Sequence, residues 1–166
     1  TGEFGFEIFI TPCAVVDLWK DLLSAGADFD VIACGLGARD SLRAGAMLPL
    51  SHQDMGHWKF IHHPWMFALP LTSNGRGFTK SFLGDQALLD PADTFYTLAF
   101  AGENLKKVSS GPGSQVLDEN GTVLGTVLTC ATDMAIGWHD GHILSIASPD
   151  LPRDFKARGI SCGFIR

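Results

Sequence analysis

The sequence predicts an α+β protein, with a helix-bearing stretch over residues 1–90 and a small antiparallel β-barrel over residues 91–166. Three observations carry this expectation. Val15, Leu18, Trp19, Leu22 and Leu23 recur at helical spacing near the start. Beyond Asp90-Pro91, five short apolar runs follow one another, separated by clusters of Gly, Asn, Asp and Pro. Hydrophobic residues make up 46% of the 166 residues and charged ones 18%, which places the chain with packed globular proteins and away from the disordered class.

In chain order, residues 7–10 read as a strand entered through the glycine turn Gly2 to Gly5. Thr11 is an N-cap and Pro12 fills the first helical position, where a missing N–H costs nothing. Gly26 supplies the stop. Residues 31–34 read as a brief strand, followed by the turn Gly35-Leu36-Gly37 and a second helix over 38–46. Strand, glycine turn and helix make a ligand-facing corner. Residues 52–70, rich in His, Trp and Phe, read as an ordered irregular segment leading into a short strand. Asn74-Gly75 marks a turn, an amphipathic stretch ends at Leu88-Leu89, and Asp90-Pro91 breaks the chain at the expected domain boundary. Strands are expected over 94–100, 114–117, 122–129, 142–147 and 157–165. Asp118-Glu119-Asn120-Gly121 reads as a hairpin turn, because Asn-Gly tolerates positive φ, and His139-Asp140-Gly141-His142 as a turn between barrel strands, with its histidines exposed. Short strands at such intervals suggest the barrel.

Charge and composition exclude several partners. A net charge of −6 and the single basic pair Lys106-Lys107 argue against nucleic acid, whose sequence-independent binding needs clustered Lys and Arg. Apolar runs fall far short of the roughly 20 residues of a membrane span. Cys13, Cys34, Cys130 and Cys162 form no C-x-x-C pair, so neither zinc nor dithiol chemistry is indicated. With no signal-peptide pattern, a cytoplasmic location is expected. The chain opens on Thr1-Gly2-Glu3 in what reads as the middle of a turn, so an upstream N-terminal half is expected to be missing.

Two constellations carry chemistry. Thr1-Gly2-Glu3-Phe4-Gly5-Phe6-Glu7 places two carboxylates around flexible glycines, and a carboxylate at Glu7 suits the paired N–H donors of a planar edge such as a pterin or guanine. The plain alternative is that Glu3 and Glu7 are surface acids beside a turn. Gly35-Leu36-Gly37-Ala38-Arg39-Asp40-Ser41-Leu42-Arg43 puts Arg39 and Arg43 on one helix face, with Arg39 close to the positive helix end, an arrangement suited to a carboxylate or phosphate. Asp40 stands where the third glycine of a dinucleotide fingerprint belongs, so NAD binding is not expected. His52, Asp54, His57, His62 and His63 lack a helical ligand pair, and packing beside Trp58, Trp65 and Phe67 explains them better than a metal. No G-x-S-x-G elbow supports a hydrolase.

Together the two segments resemble the T-protein of the glycine cleavage system and its folate-binding relatives. The family pattern runs Thr-Gly-Glu-x-Gly-aromatic-Glu, a helix, and then Gly-Leu-Gly-Ala-Arg-Asp-Ser/Thr-Leu-Arg. Leu50 to Met55 and Phe82 to Leu88 are similar to further family stretches, more faintly. The resemblance implies that residues 1–90 are the C-terminal portion of a folate-binding aminomethyltransferase-like domain and that 91–166 form its β-barrel domain. It further implies tetrahydrofolate as cofactor, with Glu7 holding the pterin edge and Arg39 helping to fix the cofactor. A lipoylated carrier protein is an expected partner. The family's catalytic carboxylate lies upstream of the first motif, so no catalytic residue is assigned here and the fragment alone is expected to be inactive. Ser51-His52 and residues 129–134 depart from the family pattern. Two functions follow: one-carbon transfer to tetrahydrofolate, or a folate-binding sensor or scaffold that transfers nothing.

Overall fold

The computed structural model describes residues 1–90 and 94–166. Thr11 is extended and Pro12 opens a 3-10 turn, Pro12–Ala14, that runs straight into α1, Val15–Ala25. Thr11 caps through its backbone: its carbonyl accepts the Ala14 N–H at 3.0 Å, and its side chain makes no cap bond. Gly26 ends α1 in a right-handed conformation, its N–H donating to the Leu22 carbonyl at 2.9 Å. Glycine is needed there because a Cβ would lie 2.5 Å from a Val31 methyl group.

Helix α2, Leu36–Gly45, starts two residues earlier than the sequence suggests. Gly35 is extended and its carbonyl accepts the Arg39 N–H, so Gly35-Leu36-Gly37 is the first turn of the helix rather than a loop before it. Irregular chain follows, as expected over 52–70: a π-type turn at Ser51–Met55 and 3-10 turns at Phe60–His62 and Met66–Ala68. The short strand expected after it is reduced to a single bridge between Leu71 and Phe78. The short helix α3, Asp85–Leu89, ends at the edge of the described residues. Pro91 of the Asp90-Pro91 breaker, and with it the far side of the expected boundary, lies outside them.

Among the described residues six strands follow: β1 Leu98–Ala101, β2 Gln115–Leu117, β3 Val123–Asp133, β4 Ile136–His139, β5 His142–Ser145 and β6 Ile160–Ile165. All pairings are antiparallel. Four strands form one sheet in the order β1-β6-β3-β2, with Phe100 opposite Gly163 and Ala131 opposite Cys162; β4 and β5 pair only with each other. The expected closed barrel is therefore not found among the described residues. Closure requires β1 and β2 to be bridged by further strands, and the one remaining strand pair stands apart as its own hairpin.

Both turns expected in this region form, by different means. In the β4–β5 hairpin, Asp140 and Gly141 both take positive φ, 46° and 77°, the two-residue turn that matches strand twist. Between β2 and β3, Gly121 alone is left-handed, at φ 83°. There the Asp118 carboxylate accepts the N–H groups of Asn120 and Thr122, and those bonds hold its carboxyl below the usual range, the Thr122 bond contributing most. Asn120 needs no positive φ because the Asp118 side chain closes the turn.

Two expected strands are absent. Residues 7–10 and 31–34 are exposed and carry no ladder, since no described strand lies alongside them. The apolar side chains of this region are correspondingly bare: Phe4 is 95% exposed, Phe6 and Phe9 nearly as much, and α1 buries nothing. The core lies elsewhere, where α2 meets the sheet. Ala44 joins Ala131, Ile136, Ile160 and Cys162 in one buried cluster, and Phe164 is fully enclosed. Burial is the chief cause that pushes the Cys162 thiol up to about 11, so it stays protonated. No helix among the described residues is long and apolar enough to cross a membrane.

Candidate functional site

The second motif rides on α2, and α2 is held by its C-terminal half. Ser41 donates its hydroxyl to the Thr132 carbonyl, and a side chain at Gly45 would overlap the Asp133 carboxylate. Arg43 is buried. Its Nε reaches Asp40 at 2.9 Å, and its Nη1 bonds both the Leu48 carbonyl and the Asp54 carboxylate. Asp54 is 0% exposed and fully engaged, also accepting the Leu50 N–H at 2.8 Å and the Thr129 hydroxyl. Burial of opposite charges requires close pairing and satisfied lone pairs, and the carboxylate meets both conditions, whereas Arg43 Nη2 is buried without a hydrogen-bond partner among the described residues.

Arg39 and Arg43 share a helix face as the spacing implies, yet they are put to different uses. Arg43 sits where α2 packs against the sheet and is consumed by an internal ion pair. Arg39 sits one turn earlier, on the exposed end of the helix, and its side chain has no hydrogen-bond or ion-pair partner among the described residues. A free guanidinium beside the positive end of a helix is available to an anionic ligand.

The first motif adjoins the far end of the same helix. Gly2, at φ 88°, lies so close to Ala46 that a Cβ there would overlap the alanine methyl, and the Leu48 side chain is 3.7 Å from the same point. Residue 2 therefore has to be glycine for the two motifs to meet. Glu7, five residues on, is exposed and likewise has no partner among the described residues. Glu7 and Arg39 make no contact with each other, and neither lines any of the five main cavities.

The histidine-rich segment is a packing element. His62 packs against Tyr96 with ring centres 4.8 Å apart and the rings tilted by 60°, and its carbonyl accepts the Thr97 N–H. His63 is buried against Phe60, with Nε2 3.4 Å from the Trp58 carbonyl. Burial, the largest effect, holds the His63 pKa below its ordinary 6.5. The bond to Trp58 opposes that shift, Arg166 and His62 reinforce it, and Asp54 weakly opposes it. A histidine whose folded pKa is depressed contributes stability that is complete above pH 6.5 and declines as pH falls from 6.5 towards the folded value. Thermal unfolding followed from pH 7.5 to 5.5 is expected to show falling stability, with a shallower fall in His63→Gln.

Sequence reasoning missed the role of Asp54. The one available signal was an acid eleven residues after an arginine on the inner face of the preceding helix. It missed β4 as well, although Asp140-Gly141 announced a hairpin whose first strand had to precede it.

Comparison with known proteins adds to this geometry. Residues 1–59, which contain both motifs and Asp54, match the family model described as the GCVT N-terminal domain. The chain is 33% identical over 161 residues to an aminomethyltransferase of Shouchella clausii, covering 82% of this chain and 40% of that protein. It is 33% identical over 129 residues to an aminomethyltransferase of Leptospira biflexa, covering 69% of this chain and 35% of that protein. Over 88 residues it is 43% identical to an aminomethyltransferase of Bordetella pertussis, covering 53% and 22%. The chain thus spans 40% or less of the length of these relatives. No solved structure matches it.

Proposed function

The chain belongs to the glycine cleavage T-protein family, and from that premise we propose that it forms the C-terminal part of a tetrahydrofolate-dependent aminomethyltransferase working in the cytoplasm. The observation that supports this reading most is the division of labour within the motifs. Arg43 and Asp54 are spent on holding α2, while Glu7 and Arg39 are exposed and have no partner among the described residues, which leaves them available to a ligand.

The residues present fit the cofactor chemically. Glu7 offers two carboxylate oxygens to the adjacent N–H donors of a pterin edge, and Arg39 offers a planar donor fork to a carboxylate. Bound tetrahydrofolate supplies the nitrogen chemistry that takes up the one-carbon unit. The chain's part is to bind and orient it, with the reaction's other requirements met by the remainder of the parent protein and by a lipoylated carrier that brings the donor. The bare apolar side chains Phe4, Phe6 and Phe9 support the expectation that the parent's N-terminal half packs over the Glu7 segment, giving residues 7–10 the strand partner they lack here. In this reading the open sheet is the C-terminal barrel domain of the family with its closure incomplete.

Calorimetric titration of the full-length protein with tetrahydrofolate tests the binding claim. A second assay, release of the one-carbon unit from an aminomethyl-lipoyl carrier, separates the enzyme from a sensor or scaffold that binds folate without transfer. The departures at Ser51-His52 and 129–134 favour that alternative. Binding with transfer supports the enzyme; binding without transfer supports the module; absence of binding removes both.

A further inference from the structure

An open cleft of about 1130 Å³ lies far along the chain from the motifs, in the C-terminal part, between the loop after β1, strand β4 and the loop that leads into β6. It is built on fixed backbone. A Cβ at Gly137 would come within 3.0 Å of the Lys156 carbonyl, and Gly159, at φ 74°, packs under Leu105 and Met134. Ser161 donates its N–H to the Asn104 carbonyl at 2.7 Å, which ties the loop after β1 to β6. Trp138 forms a wall. Its indole N–H is held by the Gly102 carbonyl at 2.9 Å, and it remains 45% exposed.

Charge in this cleft is sorted. The loop over 153–159 runs antiparallel to β4, since His139 packs on Phe155 while Gly137 packs on residues 156–158. Asp140 and Asp154 therefore sit at the hairpin-turn end, 3.7 and 4.0 Å from His139. Lys156, Arg158 and Lys106 line the other end, where Leu105 meets Gly159. None of the three cations has an ion-pair partner among the described residues, and Glu103 beside the Trp138 wall brings the carboxylates to three as well. A cleft with balanced and separated charge disfavours a simple anion, because the carboxylates would repel it. It suits a ligand that is itself neutral overall and charged at both ends.

We propose that this cleft binds a small zwitterion, with its anionic group at Lys156, Arg158 and Lys106, its ammonium group at Asp140 and Asp154, and its apolar body along Trp138. Along β4 the cleft runs from Gly137 to His139, about 7 Å at ~3.3 Å per residue, with Asp140 beyond it in the turn. That span favours a ligand whose charges are separated by several methylene groups over an α-amino acid. Aliphatic body and terminal ammonium both gain from an indole face.

The test uses the full-length protein and a series of ω-amino carboxylates from glycine to 8-aminooctanoate, read by tryptophan fluorescence and confirmed by calorimetry. Affinity is expected to rise with chain length to an optimum near 6-aminohexanoate. Hexanoate and hexylamine, each carrying one charge only, are expected to bind about tenfold more weakly, as is 6-aminohexanoate to Asp154→Asn or Lys156→Gln, by loss of one charge-assisted contact. Trp138→Phe should remove the fluorescence change while calorimetric binding persists. The proposal is overturned if no member of the series binds, if hexanoate binds as well as 6-aminohexanoate, or if both charge variants bind like the parent protein. These outcomes are independent of whether tetrahydrofolate binds.

Discussion

Asp54→Ala is expected to destabilise the protein by about 3–5 kcal/mol, the usual cost of leaving a buried charge without its partner. The arithmetic follows from what Asp54 holds. Its carboxylate neutralises Arg43, accepts the Leu50 N–H and the Thr129 hydroxyl, and is wholly shielded from water. Removal leaves the buried guanidinium with the half-exposed Asp40 as its remaining carboxylate and frees two further donors. Because Arg43 lies on α2 and Thr129, 75 residues beyond Asp54, on β3, the carboxylate also ties the helix to the sheet. Denaturant unfolding measures the loss. Asp54→Asn is expected to fall between the unchanged protein and Asp54→Ala, since the amide keeps one acceptor for the backbone N–H while Arg43 is left with Asp40 as its one carboxylate partner.

Phe164→Ala is expected to cost a similar amount, about 3–5 kcal/mol, for a different reason: transfer free energy and an unfilled cavity. Phe164 is 0% exposed on β6, the strand that pairs with both β1 and β3. It faces Ala99 on one side and Thr129 on the other, in register. The same unfolding measurement should set it apart from Phe4→Ala and Phe9→Ala, whose rings are almost entirely in solvent and whose removal is expected to change stability by less than about 0.5 kcal/mol.

The helices and turns were legible because their signals are local. Thr11-Pro12 starts α1, Gly26 ends it, and Asp140-Gly141 closes a hairpin through residues within a few positions of one another. What required the structure is every feature decided at a distance. Phe6, Ile8 and Ile10 alternate as a strand would, but a strand exists only beside a partner, and none of the described residues provides one. The spacing of Arg39 and Arg43 set both on one face of α2 correctly. It carried no information on which of them would meet Asp54, because that depends on how far along its axis the helix packs against β3. Gly35-Leu36-Gly37 was read as a turn from its glycines, whereas the helix simply begins there, with Gly35 as its cap. Barrel closure, not found among the described residues, is of the same kind: regularly spaced short strands announce an antiparallel sheet, while closure depends on edges that no local pattern describes.

The proposed folate site rests on two exposed side chains without a partner among the described residues, and this makes it separable from stability. The most direct measurement is the tetrahydrofolate dissociation constant of the full-length protein and of its Glu7→Gln and Arg39→Ala variants, each accompanied by a melting temperature. Exposed residues without internal partners should be replaceable with melting temperatures unchanged within about 2 °C. Affinity should nevertheless weaken by roughly 10- to 100-fold in each variant, the loss of charge-assisted hydrogen bonds to the ligand. Unchanged affinity in both variants would contradict the assignment of Glu7 and Arg39.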